Sequence, residues 1–210
     1  MKKSMQAIVG AAAAASAVGA LAPPAGAVND PAVFLAIQSG GHLVVSSISP
    51  TTIGSNIHVT TFGNATVAVI DASVPIRNWI GTNCQVGLAS GDAARPNRAI
   101  CQGIVDPRIE VHGTTLDDTL WVEVPGHWSE VSGHAGNDTL IGSRYARDVM
   151  SGGPNKDTIT VSHSGDANAD SANCGSVNGA ADAAADTVNY NGSDTLSFCN
   201  ALDTKNYSTK

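Results

Sequence analysis

Apolar residues in this chain come in short runs separated by turn residues. Ala32-Val-Phe-Leu-Ala-Ile-Gln38 and His42-Leu-Val-Val-Ser46 flank Ser39-Gly40-Gly41. Asn56-Ile-His-Val-Thr60 and Ala65-Thr-Val-Ala-Val-Ile-Asp71 flank Phe62-Gly63-Asn64. Such runs, rich in β-branched residues, predict strands joined by hairpin-like or solenoid-like turns. Gly87 to Ala99 is polar and reads as a loop bracketed by Cys84 and Cys101. The long apolar run, Ala7 to Ala22, follows Met1-Lys2-Lys3 and ends in Pro23-Pro24 and Ala25-Gly26-Ala27. A charged start, a short apolar stretch and an A-x-A end predict a secretory signal peptide over 1–27. A membrane anchor fits less well, because the run is Ala- and Gly-rich and broken by proline.

From Ile104 onward a repeat takes over. Asp, then Thr or Val, then an aliphatic residue recurs at Asp118-Thr-Leu120, Asp138-Thr-Leu140, Asp148-Val-Met150, Asp157-Thr-Ile159, Asp186-Thr-Val188 and Asp194-Thr-Leu196. Asp138, Asp148, Asp157 and Asp166 follow one another at steps of 10, 9 and 9 residues. Glycine-rich turns precede two of them, in Gly133-His-Ala-Gly-Asn-Asp138 and Gly152-Gly-Pro-Asn-Lys-Asp157. A nine-residue unit is one short strand, with an aliphatic residue inward, followed by a turn. Two units make one coil of a flattened parallel solenoid. Alternate turns then stack on opposite edges, so Asp138 is expected to share an edge with Asp157, and Asp148 with Asp166. Stacked carboxylates repel unless a cation separates them, and oxygen-only ligands suit calcium.

Composition supports the same picture. The chain has 15 Asp against 3 Glu, 22 Gly and only 9 aromatics, which excludes a helical bundle and favours short strands with tight turns. Without Lys2 and Lys3, 9 basic residues face 18 acidic ones, a net −9 that argues against a nucleic-acid partner. Four cysteines, Cys84, Cys101, Cys174 and Cys199, suggest disulfides in an exported chain. Three pairings are possible, and the sequence-local one is the simplest. The spacings lack the close pairs of a zinc knuckle.

Gly133-His-Ala-Gly-Asn-Asp-Thr-Leu-Ile141 resembles the nonapeptide G-G-x-G-x-D-x-U-x of hemolysin-type (RTX) repeats. His134 stands where the second glycine would be. Gly152 to Thr160 is similar, with Asn155 in place of the third glycine. Gly142 to Ser151 and Gly113 to Trp121 are more degenerate copies. The wider layout looks like small exported bacterial proteins with a G-C…C segment before the first acidic turn and a Cys-bearing end, here Asp170-Ser-Ala-Asn-Cys-Gly175, Asp186-Thr-Val188 and Cys199-Asn200. The resemblance implies an all-β parallel roll with calcium as its cofactor. The ligands carried over are Gly133, Gly136, Asp138, Asp148, Gly152, Gly153, Asp157 and Asp166.

Catalytic motifs are scarce. His127, Glu130 and His134 are close in sequence, but a zincin helix needs its histidines one turn apart, and Pro125, Gly126 and Gly133 oppose a helix. Asp117 and Asp118 would point to opposite faces of a strand. The expectation is therefore an exported, non-catalytic calcium-binding module. It divides into a strand-rich part over 28–103, a solenoid over 104–200 closed by a disulfide, and a tail over 201–210. After signal cleavage it has no membrane span. The competing expectation is a secreted β-helix polysaccharide hydrolase or lyase. A groove lined by converging Asp, Arg and His on one face would favour the enzyme, and lone acids at coil corners the module.

Overall fold

The computed structural model describes residues 32–37, 41–48, 54–62, 67–78, 84–86, 97–163, 168–175 and 184–208. The expected signal peptide, Asp166 and most of the 87–99 loop lie outside them. Among the described residues every regular element is a strand. They are β1 (Ala32–Ile37), β2 (Leu43–Ile48), β3 (Asn56–Phe62), β4 (Val67–Ala72), β5 (Ile76–Asn78), β6 (Cys84–Val86), β7 (Arg98–Gln102), β8 (Arg108–His112) and β9 (Thr119–Glu123). There follow β10 (Trp128–Ser132), β11 (Thr139–Ile141), β12 (Asp148–Ser151), β13 (Thr158–Thr160), β14 (Ser171–Asn173), β15 (Thr187–Tyr190), β16 (Thr195–Ser197) and β17 (Thr204–Tyr207).

From β8 onward successive strands alternate between two sheets, as the repeat predicts. One sheet runs β16-β14-β12-β10-β8-β2-β1-β5, the other β17-β15-β13-β11-β9-β3-β4-β7-β6. Pairing is parallel from β2 to β16 and from β3 to β17. This is a parallel β-roll. The N-terminal strands add antiparallel hairpins, β1 with β2 and β3 with β4. Because β2 and β3 also pair in parallel with β8 and β9, residues before 104 supply the first coil of the roll. At the other end, the stretch expected as a tail carries β17, which pairs with β15.

The inward aliphatic of each repeat stacks in register: Ile57, Leu120, Leu140, Ile159 and Val188 in one sheet, Val45, Val111, Val131, Met150 and Ala172 in the other. These side chains are buried in one continuous core. Truncating one, as in Leu140→Ala, costs about 2–5 kcal/mol. The sequence-local disulfides are the ones formed, Cys84–Cys101 and Cys174–Cys199. The first joins paired positions of β6 and β7. The second ties the residue after β14 to the chain after β16, across the end of the roll. Closing a loop of that size stabilises by roughly 3 kcal/mol in the chain-entropy model.

Candidate metal centre

The turns ending at Asp118, Asp138 and Asp157 stack on one edge. The main-chain N–H of Asp118 donates to Asp138 Oδ1 at 2.8 Å, and that of Asp138 to Asp157 Oδ1 at 2.8 Å. The ladder continues from Asp157 to Asp186 Oδ1 at 2.7 Å and from Asp186 to Asp203 Oδ1 at 3.1 Å. On the opposite edge Asp148 donates to Asp170 Oδ1 at 2.7 Å, and Asp170 to Asp194 Oδ1 at 3.2 Å. The Asp138–Asp157 pair is the expected one. Asp170 stacks on Asp148, and Asp166 lies outside the described residues.

One oxygen of each acid thus satisfies the neighbouring coil, and the other faces its own turn. At Asp118, Oδ2 accepts the Thr114 N–H and, at 2.9 Å, the Thr114 hydroxyl. At Asp148, Oδ2 accepts the Ser143 N–H and Oδ1 the Ser129 hydroxyl, each at 2.5 Å. At Asp194, Oδ2 accepts the Asn191 N–H at 2.7 Å. Asp138 differs from these three. It is 1% exposed, and its Oδ2 is buried with no hydrogen-bond partner, as is that of Asp203 at the last rung. The residue equivalent to Thr114 is His134, whose φ is +74°. In the next copy Gly153 holds that position at +115°. The fourth positions are left-handed too, Gly136 at +119° and Asn155 at +87°. Both departures from the glycine pattern therefore keep its backbone shape, and asparagine tolerates it best among non-glycine residues.

A second acceptor crowds the same space. A Cβ on Gly133 would collide with Asp138 Oδ2 and lie 2.7 Å from the Gly152 carbonyl oxygen. The closed Asp118 turn has the same arrangement, with the Gly133 carbonyl oxygen 2.7 Å from a Cβ on Gly113, but there Thr114 supplies a donor; a buried carboxylate oxygen without one calls for a proton or a cation. The electrostatics agree: burial, then the charges of Asp118 and Asp117, push the Asp138 carboxyl up to about 7, against the lowering effect of its Asp118 N–H bond. The donor set, a carboxylate with turn carbonyls, fits calcium chemistry. Gly133, Gly136, Gly152 and Gly153 lie in the two glycine turns, and Asp157 is fully buried beneath Asp138. Asp148 fits less well, because protein donors hold both of its oxygens.

The chain matches no family model, no curated protein and no solved structure. The geometry alone therefore carries the site.

Asp170, read only as part of the Cys-bearing end, and Asp203 do not stand out as repeat acids because Ala172 and Lys205 occupy the position where the repeat expects a large aliphatic residue. His127, Glu130 and His134 do not form a ligand set. His127 is buried, and burial lowers its pKa. Glu130 lies on a sheet face and His134 in a turn. Among the described residues, the sole grouping of three metal-ligating side chains is Cys174, Cys199 and Asp203, whose cysteines form a disulfide.

A different cluster sits on the outer face of the first sheet. Glu110 is 8% exposed. Its Oε1 lies 3.0 Å from Arg108 and 3.4 Å from His42, and its Oε2 3.5 Å from His112. Arg108 also reaches Glu130 at 3.8 Å and lies over the Trp128 ring. Arg108, Glu110 and His112 are alternate residues of β8 and so share its outer face, while His42, Glu130 and Trp128 join them through strand register.

Proposed function

We propose that the protein is an exported β-roll module of the hemolysin-type repeat class, stabilised by calcium at its glycine turns. Asp138 and the Gly152 carbonyl, with Asp157 and the carbonyls of Gly133, Gly136 and Gly153, would hold the ion. Bound there, calcium supplies the positive charge that the Asp138 turn lacks. The observation that carries the reading is Asp138 Oδ2, buried in a glycine turn and without a donor where Asp118, Asp148 and Asp194 have one. Two disulfides fit an oxidising compartment, and no helix of the described residues is long and apolar enough to cross a membrane. The sheet faces would then serve extracellular contact.

The test is calcium titration of chelator-treated protein, followed by circular dichroism and melting. With a Kd of roughly 10⁻⁴–10⁻³ M, calcium at 10 mM stabilises by about 1.4–2.7 kcal/mol per site. Asp138→Ala and Asp157→Ala should each reduce that gain, and Asp92→Ala should not. Identical melting with and without calcium removes the ion from the account.

One observation favours a second reading, a secreted hydrolase or lyase on the flank of the roll. Arg108, His42, His112 and Glu110 converge on one face, while the aspartates stay at the corners.

A further inference from the structure

His134 stands where a glycine would be free of strain. Its φ is +74°, and the next copy of the turn has Gly153 at that position, at +115°. A non-glycine residue held in the left-handed region marks a place where its side chain is used. The side chain held there meets a second imidazole. The His112 and His134 rings lie 5.7 Å apart, centre to centre, with their planes tilted by 30°. Strand register sets up this meeting. Ser132 pairs with His112 across β10 and β8, and His134 follows two residues later in the turn. Both rings are open to solvent, His134 as an exposed turn residue and His112 with 31% of its side chain exposed.

We propose that His112 and His134 together bind one borderline divalent ion, with zinc as the reference case, and that Glu110 orients His112 toward it. Ring nitrogens bind zinc at about 2.0–2.1 Å, which puts two ring centres about 5 Å apart on one tetrahedral ion. The observed 5.7 Å is a small side-chain rotation away from that. Exposed side chains such as His134 make such rotations in picoseconds to nanoseconds. Glu110 Oε2 lies 3.5 Å from His112 Nε2, which leaves Nδ1 as the ligand nitrogen. A carboxylate on the second nitrogen of a ligating histidine fixes its tautomer and makes it a better ligand. Arg108 at 3.0 Å and His42 at 3.4 Å hold that carboxylate in turn. Two protein ligands leave the other positions to water, so the ion exchanges and can accept a further ligand.

This ion is not the calcium of the neighbouring turn, and the proposal does not depend on that reading. Calcium takes oxygen ligands, whereas imidazole suits zinc, copper and nickel. His134 gives its ring to one site and only its backbone shape to the other. The Asp138 turn therefore accepts glycine at position 134, and the imidazole pair does not survive it. Other candidate ligands are already engaged. The sulfurs of Cys174 and Cys199 are bonded to each other beside Asp203. His163 Nε2 lies 2.6 Å from the Gly142 carbonyl oxygen.

The experiment titrates zinc chloride into the chelator-treated full chain, disulfides intact, by isothermal calorimetry with and without excess calcium. The expected result is a single zinc per chain, unaffected by calcium. His134→Gly abolishes binding although it relieves the turn, and His112→Gln abolishes it as well. Glu110→Gln weakens it about 10–100-fold, while His163→Gln matches the parent. Nitrogen resonances of the rings identify the ligand atom, with zinc moving His112 Nδ1 and leaving Nε2 protonated. Circular dichroism of each variant establishes that the roll is intact. No zinc binding by the parent, or binding equal in the parent and His134→Gly, overturns the proposal. Full binding in His112→Gln overturns it too, because the pair is then not the site. Zinc that calcium displaces also overturns it and puts the ion among the oxygens of the Asp138 turn.

Discussion

Asp118 and Asp138 occupy the same place one coil apart; in each, Oδ1 accepts a main-chain N–H of the preceding coil, from Ser55 and from Asp118, while Oδ2 meets opposite fates. Thr114, at the second position of its turn, closes the first site with its amide and hydroxyl. His134, at the same position with φ +74°, leaves the second site open. Ser143 closes the Asp148 turn on the other edge as Thr114 does. The comparison teaches that a degenerate repeat is not a weakened copy of a glycine-rich one. A Thr or Ser at the second position supplies an internal donor and makes the turn self-sufficient. A left-handed residue there keeps the turn shape and leaves the carboxylate in need of a proton or an ion.

The largest effect belongs to a closed turn. Asp148→Ala orphans the Ser129 hydroxyl and the Ser143 amide in a buried setting, a loss of about 3 kcal/mol. For a chain of this size that lowers Tm by roughly 6–12 °C. Thermal melts should show the same drop with calcium and with chelator. A drop that calcium repairs would put an ion in the closed turn and erase the distinction.

The open turn should respond to pH. Asp138 titrates near 7 when folded, above its ordinary value of 3.8. An acid with a raised folded pKa holds its proton longer in the native state. It therefore favours folding most below the ordinary value, and this contribution is lost as pH rises through about 7. Metal-free protein should lose stability between about pH 4 and 7, and Asp138→Asn should flatten that slope. Denaturant melts across the range read it directly, and an equal slope in both proteins would exonerate Asp138.

Backbone strain gives the smallest effect. His134→Gly relieves a left-handed non-glycine residue and should stabilise by about 1 kcal/mol, with Asn155→Gly gaining less. Chemical denaturation resolves the two. Equal gains would mean that the turn does not distinguish His from Asn.

Much of this was legible before the structure. The steps of 10 and 9 residues between Asp138, Asp148 and Asp157, with one aliphatic after each, point to two strands per coil and place Asp138 above Asp157. Insertions hide the later register. Asp157 stacks on Asp186 across 29 residues and Asp148 on Asp170 across 22. Spacing therefore pointed to Asp166 for a place that Asp170 takes. The open or closed state of each turn was visible as Thr114, Ser143 and His134, but only backbone angles and donors reveal its meaning. In the Glu110 cluster the alternation Arg108, Glu110, His112 along β8 was legible, but the approach of His42 was not, because it depends on the register of β2 with β8.

Calcium-induced stabilisation of Asp138→Asn against the parent tests the open turn most directly. Asparagine keeps Oδ1 as the acceptor for Asp118 N–H and turns an amide toward the Gly152 carbonyl, replacing the ion with a donor. In 10 mM calcium the parent should gain about 3–10 °C in Tm over the chelated state. Asp138→Asn should melt at or above the chelated parent and gain almost nothing from calcium. An equal calcium shift in both proteins would contradict the account, since the ion would then bind without the oxygen that the Asp138 turn leaves open.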